Sequence, residues 1–303
     1  MQLSNLVLQR IAVIGCGLLG GSFALGLKKN GFAGEVIGCD REEVLRAARE
    51  RGAIDRGLTD TGEAVAGADL VVLSTPVGTI LDLLPQVAKR ARPGTLVTDT
   101  GSTKVRICRR AREVLPESVS FLGGHPLAGK ETSGIENAEA DLFAGAKYVV
   151  IKEENQAGRR DSSTSGLGMT NAGEEFLSWV RRLGAEPVEM EAETHDWAVA
   201  WISHAPQLVA TALASAVWDE TDEDGLPLAL AASGFREMTR LAASPYDLWR
   251  DICRTNSENL ARALERLEQR LARMRGQLRS GELAAEFEKA RQACAALRKE
   301  GKR

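Results

Sequence analysis

The sequence has few cysteines and no pattern among them that binds a metal or builds a disulfide framework. The five cysteines stand at positions 16, 39, 108, 253 and 294, and no two of them form a CxxC pair. Scattered cysteines of this kind are typical of reduced, mostly buried side chains in a cytoplasmic protein. We therefore expect no metal site, no disulfide and a cytoplasmic location.

Long apolar runs and an excess of one charge are also absent. No apolar run reaches the ~20 residues that a membrane helix needs. The N-terminal segment MQLSNLVLQR lacks the basic and apolar regions of a signal peptide. The formal net charge of −3 gives no reason to expect a nucleic-acid partner. We expect neither a membrane nor nucleic acid among the partners.

The composition is that of an ordinary globular protein, and the chain is long enough for two domains. The 303 residues are 44% hydrophobic and 27% charged. Short apolar runs alternate with helical segments in the first part of the chain, and helical periodicity alone continues from about residue 192. The alternation predicts an α/β domain over 1–191 with a doubly wound, mostly parallel sheet. The second pattern predicts an all-helical domain over 192–303.

The pattern also predicts individual elements. We expect strands over 11–14, 36–39, 69–75, 95–98, 119–122, 147–151 and 187–190. Besides the helices after the first two strands, we expect helices over 78–91, 104–115, 174–183, 193–219, 226–242, 247–275 and 279–299. The serine- and glycine-rich stretch from 155 to 173 has no periodicity, which predicts a long mobile loop.

A glycine-rich motif at the first strand carries the clearest functional signal. Gly15, Gly17 and Gly20 follow this strand at GxGxxG spacing, a helix comes next, and an acidic residue ends the second strand. This order is typical of dinucleotide binding. The first glycine permits a sharp turn, the second lets a pyrophosphate approach the backbone, and the third lets the helix pack closely on the strand. The helix N-terminus, with Leu18 and Leu19, offers N–H groups to the phosphates.

Two further strand ends complete the predicted cofactor site. Asp40 can accept hydrogen bonds from a ribose diol and repels a 2′-phosphate, which favours NAD over NADP, whereas Arg41 beside it could bind that phosphate. The turn Ser74-Thr75-Pro76 ends another strand and would lie near the nicotinamide ribose, although the proline could serve only to shape the turn. NAD is the predicted cofactor, with NADP as the alternative.

Two loops after later strands hold the candidates for chemistry. They are DTGSTK at 99–104 and GGHPLAGKETSG at 123–134. Ligands of open parallel sheets bind outside the carboxyl ends of the strands, so both loops belong on the same edge as the glycine motif. His125 could accept a proton from a substrate hydroxyl while a hydride leaves the same carbon, or it could be a structural histidine. Ser102 could bond that imidazole or the substrate, and could equally cap the helix that begins near Lys104.

The helical part carries fewer chemical signals. His204 lies in an otherwise apolar helix, where a histidine is more often a core residue than a ligand. Arg236 and Arg240 stand four residues apart on one predicted helical face, where they could clamp a dicarboxylate or form a solvated surface. Leucines at 260, 264, 267 and 271 form an apolar stripe. Such a stripe packs within its own domain or across a dimer axis, and we expect a homodimer through these C-terminal helices.

Taken together, these segments resemble the prephenate dehydrogenase family of tyrosine biosynthesis, which includes arogenate and cyclohexadienyl dehydrogenases. The resemblance runs from about Ile11 to Asn256. It rests on GCGLLGGS, DTGSTK, GGHPLAGKETSG, the pair His195-Asp196, SHAP at 203–206 and GFREMTRLAASPYDLWRDI. It implies an N-terminal Rossmann domain, a helical dimerisation domain, and oxidative decarboxylation of a cyclohexadienyl dicarboxylic acid with hydride transfer to the nicotinamide.

The resemblance also implies roles for single residues. His125 would bond the substrate hydroxyl and take up its proton, and Ser102 would orient that pair. Glu131 would lie at the mouth of the pocket. Arg240 would hold a substrate carboxylate, with Arg236 close to the entrance.

Some positions of the implied substrate site differ from the family pattern. Many relatives have SHLPH where this chain has a SHAP segment containing His204, followed by Gln207. The second histidine of those relatives contacts the substrate side chain, so the change to Gln207 leaves open the choice between prephenate and arogenate. Lys130 adds a positive charge near the anion site, at a position that is often small or neutral.

Two alternative functions remain. Another two-domain NAD(P)-dependent dehydrogenase, of the β-hydroxyacid or imine-reducing kind, would place a signature such as a catalytic lysine in the helical half, where no convincing candidate stands. A dinucleotide-sensing protein without catalysis would lack the proton acceptor or the carboxylate clamp, whereas His125, Ser102 and Arg240 are all present.

Overall fold

The N-terminal part of the chain folds around a six-stranded parallel sheet. The computed structural model describes residues 8–130, 132–151, 170–221 and 225–300, with side chains to residue 298. The strands are β1 Arg10–Ile14, β2 Glu35–Cys39, β3 Arg56–Leu58, β4 Leu70–Leu73, β5 Leu96–Asp99 and β6 Ser120–Leu122. Their order is β3-β2-β1-β4-β5-β6, with every neighbouring pair parallel. This is the strand order of a Rossmann fold, and it confirms the predicted fold class.

Helices cover both faces of this sheet. They are α1 Leu18–Lys29, α2 Glu42–Glu50, α3 Thr61–Val65, α4 Val77–Arg90 and α5 Val105–Val114. Alternate residues of β1 enter two different cores: Ile11 and Val13 lie in the core that contains Phe23 of α1. Ala12 and Ile14 lie in the core that contains the buried side chains of α4. Because side chains alternate along a strand, a strand buried in both cores is apolar throughout.

A smaller sheet follows the main one. It consists of β7 Gly124–Pro126, β8 Lys147–Ile151 and β9 Glu186–Met190, with α6 Asn171–Arg182 between the last two strands. β7 pairs antiparallel with β8, and β8 pairs parallel with β9. The pattern did not predict β3, α3 or β7, because elements of three to five residues are too short to show a period.

The predicted loop over 155–173 is wrong at its C-terminal end. Helix α6 begins at Asn171, and the side chain of Thr170 accepts a hydrogen bond from the backbone N–H of Gly173. A threonine in this position caps the first turn of a helix, which explains the early start. The remainder of that stretch, up to residue 169, lies outside the described residues.

The second part of the chain is helical, but two of its predicted helices are broken. The elements are α7 Ala192–Val199, a π-helical turn Ala200–His204, α8 Ala205–Asp219, α9 Leu226–Ala229, α10 Ser233–Thr239, a 3-10 turn Arg240–Ala243, α11 Tyr246–Thr255, α12 Ser257–Gln277 and α13 Ala284–Glu300. The helix predicted over 226–242 is interrupted before Ser233 and again after Thr239. The helix predicted over 247–275 is interrupted at Asn256, whose φ of −123° and ψ of 28° are not helical.

By its internal packing the chain divides into two compact units, Met1–Ser257 and Glu258–Arg303. The first unit contains both sheets and the helices up to α11. In the second unit, Arg270 of α12 donates hydrogen bonds of 2.7 and 2.6 Å to the two carboxylate oxygens of Glu286 in α13. The predicted leucine stripe of α12 is buried at Leu260 and 62% exposed at Leu271.

The cysteines are mostly buried, as predicted. Cys16, Cys39 and Cys108 are buried, Cys253 is half-buried and Cys294 is exposed. Burial raises the pKa of the thiols of Cys16 and Cys108 to about 12, which keeps both protonated at neutral pH. Among the described residues, no helix combines the length and the apolar character needed to cross a membrane.

Candidate active site

The carboxyl ends of the central strands lie side by side and carry the predicted cofactor residues. The backbone N–H of Gly15 donates to Cys39 O (2.9 Å), and that of Ser74 donates to Ile14 O (2.7 Å). The residues directly after β1, β2 and β4, which include Asp40, therefore share one edge of the sheet. This is the edge at which open parallel sheets bind ligands.

The three glycines leave a space next to the backbone where α1 begins. Gly15 has a φ of +94°, and a Cβ there would lie 2.4 Å from Ser74 O. A Cβ on Gly20 would lie 1.9 Å from Gly15 O, so α1 packs directly on the turn. At Gly17 a Cβ would meet nothing within 4 Å. Gly17 is the N-cap of α1, and no side chain caps the amides of Leu18 and Leu19. This open backbone at a helix N-terminus fits a pyrophosphate.

Asp40 is held against the glycine turn by its own hydrogen bonds. Its carboxylate accepts from the backbone N–H of Cys16 and from that of Arg41, at 2.8 Å each. A carboxylate oxygen has two lone pairs, so each oxygen can accept a further hydrogen bond from a ribose hydroxyl. The side chain of Arg41 is 77% exposed, and its guanidinium lies 3.2 Å from the carboxylate of Glu43 and 4.0 Å from that of Asp40.

The turn after β4 contains an orphaned hydroxyl. Thr75 Oγ1 is buried and has no hydrogen-bond partner among the described residues. Its neighbour Ser74 accepts a 3.0 Å hydrogen bond from Thr100 Oγ1 of the turn after β5. Pro76 is the N-cap of α4. Because a buried polar group without a partner is costly, the Thr75 hydroxyl fits a polar ligand atom at this edge.

A fully buried ion pair joins the two loops in which we expect the chemistry. Lys104 Nζ donates to Asp99 Oδ2 and, at 2.6 Å, to Gly124 O. The same carboxylate accepts from the backbone N–H of Gly101 at 2.8 Å and from that of Gly124 at 3.1 Å. Sequence reasoning assigned no role to Asp99 or Lys104, although a lysine five residues after a strand-ending aspartate was the available signal.

All three histidines of the chain lie in one cluster. His125 Nδ1 is 2.8 Å from His195 Nε2, and His195 Nδ1 is 2.8 Å from Asp196 Oδ1. The rings of His125 and His195 meet edge to face, with centroids 5.0 Å apart. The amide of Asn256 donates to Asp196 O at 2.6 Å and lies 3.2 Å from His204 Nδ1. His195, Asp196 and Asn256 were missed as site residues, although the resemblance had included the His-Asp pair.

The electrostatics of the cluster keep the imidazole of His125 neutral. Burial lowers the pKa of His125 well below its ordinary value, and the nearby His195, Lys104 and His204 lower it further. The imidazole is therefore neutral at pH 7. His125 lies on β7 and is half-buried.

His204 is a buried histidine inside a local change of helix type. It is 1% exposed, and burial lowers its pKa to about 4. It ends the π-helical turn that precedes Pro206 of α8. Proline lacks an N–H and its ring crowds the preceding turn of a helix; in the π turn before it, the N–H of Ala205 donates to Ala200 O, five residues earlier. His204 also meets the ring of Trp249 edge to face, with centroids 5.8 Å apart.

Ser102 does not cap α5, contrary to one of the two roles considered for it. The helix begins at Val105, and its N-cap Lys104 has no side-chain cap. Instead the carboxylate of Asp196 accepts from the backbone N–H groups of Lys104 and Val105 at 2.7 and 3.0 Å. Ser102 lies half-buried in the loop between β5 and α5, so its hydroxyl is not needed for the helix.

The two arginines do not lie in one α-helix, which corrects that part of the prediction; that they share one face stays a prediction. Arg236 lies in α10, whereas Arg240 begins the 3-10 turn after it. Thr239 between them has a ψ of 0°, and its hydroxyl donates to Phe235 O at 2.7 Å. Such a bond to the previous turn competes with continuation of the helix. Both arginine side chains are exposed in the single chain.

Gln207 is fixed in a single amide orientation. Its Nε2 donates to Leu241 O at 2.8 Å, and its buried Oε1 has no partner among the described residues. Leu241 directly follows Arg240, so this bond joins α8 to the turn that carries the arginine. Lys130 forms an ion pair of 2.5 Å with Glu139. Glu131 lies outside the described residues.

No metal centre is found in the part of the chain that the structure describes: no three His, Cys, Asp or Glu side chains are grouped there as ligands. His125, His195 and Asp196 are joined end to end by hydrogen bonds and do not surround a common centre. The absence of a bound metal stays a prediction.

Comparison with known proteins identifies the family. The model described as "Prephenate dehydrogenase, nucleotide-binding domain" matches residues 23–160, and that described as "Prephenate dehydrogenase, dimerization domain" matches residues 191–290. A prephenate dehydrogenase of Lactococcus lactis is 36% identical over 269 residues, which are 86% of this chain and 68% of the relative. This chain thus spans about two thirds of that relative.

Solved structures agree with the sequence matches. The prephenate dehydrogenase of A. aeolicus, in complex with hydroxyphenyl propionate and NAD+, has a TM-score of 0.84 and 27% identity, covering 97% of this chain and 99% of that one. An arogenate dehydrogenase of Synechocystis has a TM-score of 0.74 and 31% identity, covering 96% of this chain and 99% of that one. With both parts of the chain matched, the protein belongs to the prephenate dehydrogenase family.

Proposed function

We propose that this protein catalyses the NAD-dependent oxidative decarboxylation of prephenate to 4-hydroxyphenylpyruvate in tyrosine biosynthesis. The observation that carries the proposal is the neutral His125, hydrogen-bonded through Nδ1 at the ligand-binding edge of a dinucleotide fold. Residues 1–191 would bind the nucleotide, and residues 192–303 would complete the substrate site and the dimer. The family to which the chain belongs supports each part of this assignment.

The residues at the strand ends fit NAD. The amides of Gly17, Leu18 and Leu19 would hold the pyrophosphate, and the carboxylate of Asp40 would accept from the ribose diol. The orphaned Thr75 hydroxyl, with Ser74 and Pro76, would line the nicotinamide ribose. When bound, NAD accepts the hydride. The negative charge of Asp40 would repel the 2′-phosphate of NADP, and the guanidinium of Arg41 beside it forms exposed ion pairs with Glu43 at 3.2 Å and with Asp40 at 4.0 Å.

The reaction then needs one proton acceptor in the right place. As hydride leaves the ring carbon, the hydroxyl proton moves to Nε2 of His125, because Nδ1 is engaged with His195. The bond from the ring to its carboxylate breaks, carbon dioxide leaves, and the electron pair enters the ring, which becomes aromatic. The oxygen then carries the charge and takes its proton back from His125. Ser102 would orient the hydroxyl on His125.

Cationic side chains would hold the two carboxylates. Arg240 would form charge-assisted hydrogen bonds with one of them, and Arg236 and Lys130 would raise the local positive potential. His204 would support the wall of the site from its buried position, and Glu131 would lie at its mouth. In the single chain the side chains of both arginines are exposed to solvent.

Arogenate is a second candidate substrate because of Gln207. The amide donates to Leu241 O through Nε2, so the group left for a ligand is the acceptor Oε1. The side chain of arogenate carries an ammonium group, which donates hydrogen bonds, whereas the keto group of prephenate only accepts them. Gln207 Oε1 therefore complements arogenate better than prephenate.

A four-way assay tests the function. Purified protein is given prephenate or arogenate, each with NAD or NADP, and reduced cofactor is followed by absorbance. We expect turnover with NAD and at least one of the two acids. His125→Asn should lower kcat by roughly 10²–10⁴, the usual effect of losing a general base, with little change in KM.

Two results would contradict the proposal. One is wild-type protein that turns over neither acid with either cofactor. The other is His125→Asn protein with unchanged kcat, which would remove His125 from the proton-accepting role. Turnover of arogenate alone would instead settle the substrate in favour of the second candidate.

A further inference from the structure

We propose that His195 and Asp196 are positioning residues that fix the tautomer of His125 and so present its Nε2 as the proton acceptor. The inference rests on the proposed function, and it concerns two residues outside the predicted site. They lie in the middle of α7, in the helical part of the chain, whereas His125 lies on β7.

The chain of hydrogen bonds starts at the Asp196 carboxylate, which can only accept. It is 1% exposed and receives the backbone N–H groups of Lys104 and Val105 together with Nδ1 of His195. These three donors around one carboxylate hold it in place. Nδ1 of His195 therefore carries a proton, because a carboxylate oxygen offers no donor to it.

This proton determines the next one. In neutral His195, a proton on Nδ1 leaves Nε2 as an acceptor. His195 Nε2 lies 2.8 Å from His125 Nδ1, so the bond between the rings forms only if His125 donates from Nδ1. The lone pair of neutral His125 is then on Nε2, the nitrogen that needs it for the reaction. With the opposite tautomer, His125 would present a donor to the substrate hydroxyl and could not take its proton.

If His195 and Asp196 served only to fill space, it would not matter which nitrogen of each histidine carries the proton. His195 is 1% exposed, and an apolar side chain of similar size would fill the same volume without two hydrogen bonds to satisfy. Unlike such a side chain, His195 can donate a hydrogen bond to Asp196 from Nδ1 and accept one from His125 at Nε2, and so determine which nitrogen of His125 carries the proton. The distinguishing measurement is therefore the position of a proton, and activity is the second measurement.

The tautomers can be observed directly in the intact protein without substrate. The chain contains three histidines, so long-range ¹H–¹⁵N spectra of ¹⁵N-histidine-labelled protein contain only three ring systems. Signals are assigned by replacing each histidine in turn. At pH 8 we expect His125 and His195 to carry their protons on Nδ1. A wild-type spectrum with the His125 proton on Nε2 would overturn the proposal, whatever the activity of the protein.

A matched pair of variants separates the two hydrogen bonds of His195. In His195→Asn the amide nitrogen lies where Nδ1 was and can still donate to Asp196, but nothing reaches His125. In His195→Gln the amide lies where Nε2 was, and its oxygen can still accept from His125 Nδ1. We expect His195→Asn to lower kcat about 10²-fold, within the range for an impaired general base. We expect kcat of His195→Gln to be at least ~10-fold higher than that of His195→Asn. In either variant, KM for the acid and KM for NAD should change less than ~2-fold.

The controls distinguish a loss of positioning from a loss of stability, and failure of this proposal from failure of the proposed function. Thermal unfolding midpoints of the two variants should match each other, so that the difference in kcat does not reflect folding. Equal kcat values for His195→Asn and wild type would overturn the role of His195. Failure of the wild type to turn over either acid would contradict the proposed function, while the His125 tautomer would still be read from the spectrum.

Discussion

The ion pair between Lys104 and Asp99 shows what single residues contribute at the end of β5. Both side chains are fully buried, and together they hold the loop after β5 against Gly124. Removal of one partner of a buried pair leaves an uncompensated charge in a medium that cannot solvate it. The pair thus stabilises the relative position of Ser102 and His125 without contacting a substrate.

Lys104→Met should destabilise the protein strongly. It leaves the Asp99 carboxylate without its cation, and we expect the free energy of unfolding to fall by about 3–5 kcal/mol, measured by denaturant titration. Lys147→Met is the matched control, since Lys147 forms an exposed pair with Glu186; it should cost about 0–1 kcal/mol. Similar losses in the two variants would contradict the importance of burial.

The buried histidines predict a loss of stability in mild acid. Burial lowers the pKa of His204 to about 4, whereas an unfolded histidine has a pKa of about 6.5. The unfolded state therefore binds more protons as pH falls below about 6.5, and the free energy of unfolding should fall by about 1 kcal/mol from His204 alone between pH 7.5 and 5.5. Unfolding titrations of wild type and His204→Asn at both pH values measure this, and an equal pH dependence in the two would contradict it.

Single residues also show which features of the fold and the site could be predicted from the sequence. The spacing of Gly15, Gly17 and Gly20 predicted the turn and the close packing of α1, because those roles depend on neighbours in the chain. The cap of α5 could not be predicted, because its acceptor Asp196 is 92 residues away from Lys104. Likewise, the histidine cluster brings together residues from β7, α7 and the end of α11. Roles at the ligand itself for Ser102, His125 and Arg240 stay predictions.

At the scale of elements, two glycines at the start of α1 differ in their surroundings: one packs tightly and the other faces open space. Gly20 lies against Gly15 O, where a Cβ would be 1.9 Å away, so any side chain would push the helix off the strand. Gly17 faces open space. The same motif thus contains one glycine that the packing of α1 requires and one at which the surrounding residues leave space for a side chain.

Two alanine variants should separate these roles. Gly20→Ala should lower both the free energy of unfolding, by about 1–3 kcal/mol for an overpacked contact, and the affinity for NAD. Gly17→Ala should cost less than about 1 kcal/mol of stability, as for a change of helix cap, but should still weaken NAD binding. Denaturant titration and fluorescence titration with NAD measure the two quantities. Unchanged NAD affinity in Gly17→Ala would place the pyrophosphate elsewhere.

Helix breaks were the least predictable elements. Periodicity over 247–275 indicated one helix, yet it ends at Thr255 so that the amide of Asn256 can reach Asp196 O and His204. Propensity and spacing describe neighbours along the helix, whereas this break is set by a buried partner 60 residues away. The predicted helix over 193–219 was nearly right, because its π turn keeps the chain helical.

At the scale of the whole molecule, the helical part of the first unit exposes large apolar side chains. They include Trp197, Ile202, Trp218, Leu230 and Met238, which are between 59% and 78% exposed. Exposed apolar groups of this size mark interaction surfaces. Residues 191–290 match a dimerization domain, and we therefore expect a second copy of the chain to cover these side chains.

A charge on this surface should produce monomers. Light scattering after gel filtration should give twice the 32.6-kDa chain mass for wild type. The double variant Trp218→Glu with Leu230→Glu should elute at the monomer mass, because a buried unpaired carboxylate is costly in an interface. Lys89→Glu introduces the same group on an exposed turn of α4 and should stay dimeric. A double variant at the dimer mass would place the interface on other residues.

The hydrogen bonds that Asp196 accepts from the first amides of α5 restrict how the helical part can move relative to the parallel sheet. Asp251 accepts likewise from Gly78 N at the start of α4, and Thr255 bonds Thr103. Rotation of the helical layer away from the nucleotide-binding layer would have to break all of these contacts at once. We therefore expect α7 and α11 to move together with the starts of α4 and α5, and any opening of the proposed site to occur elsewhere.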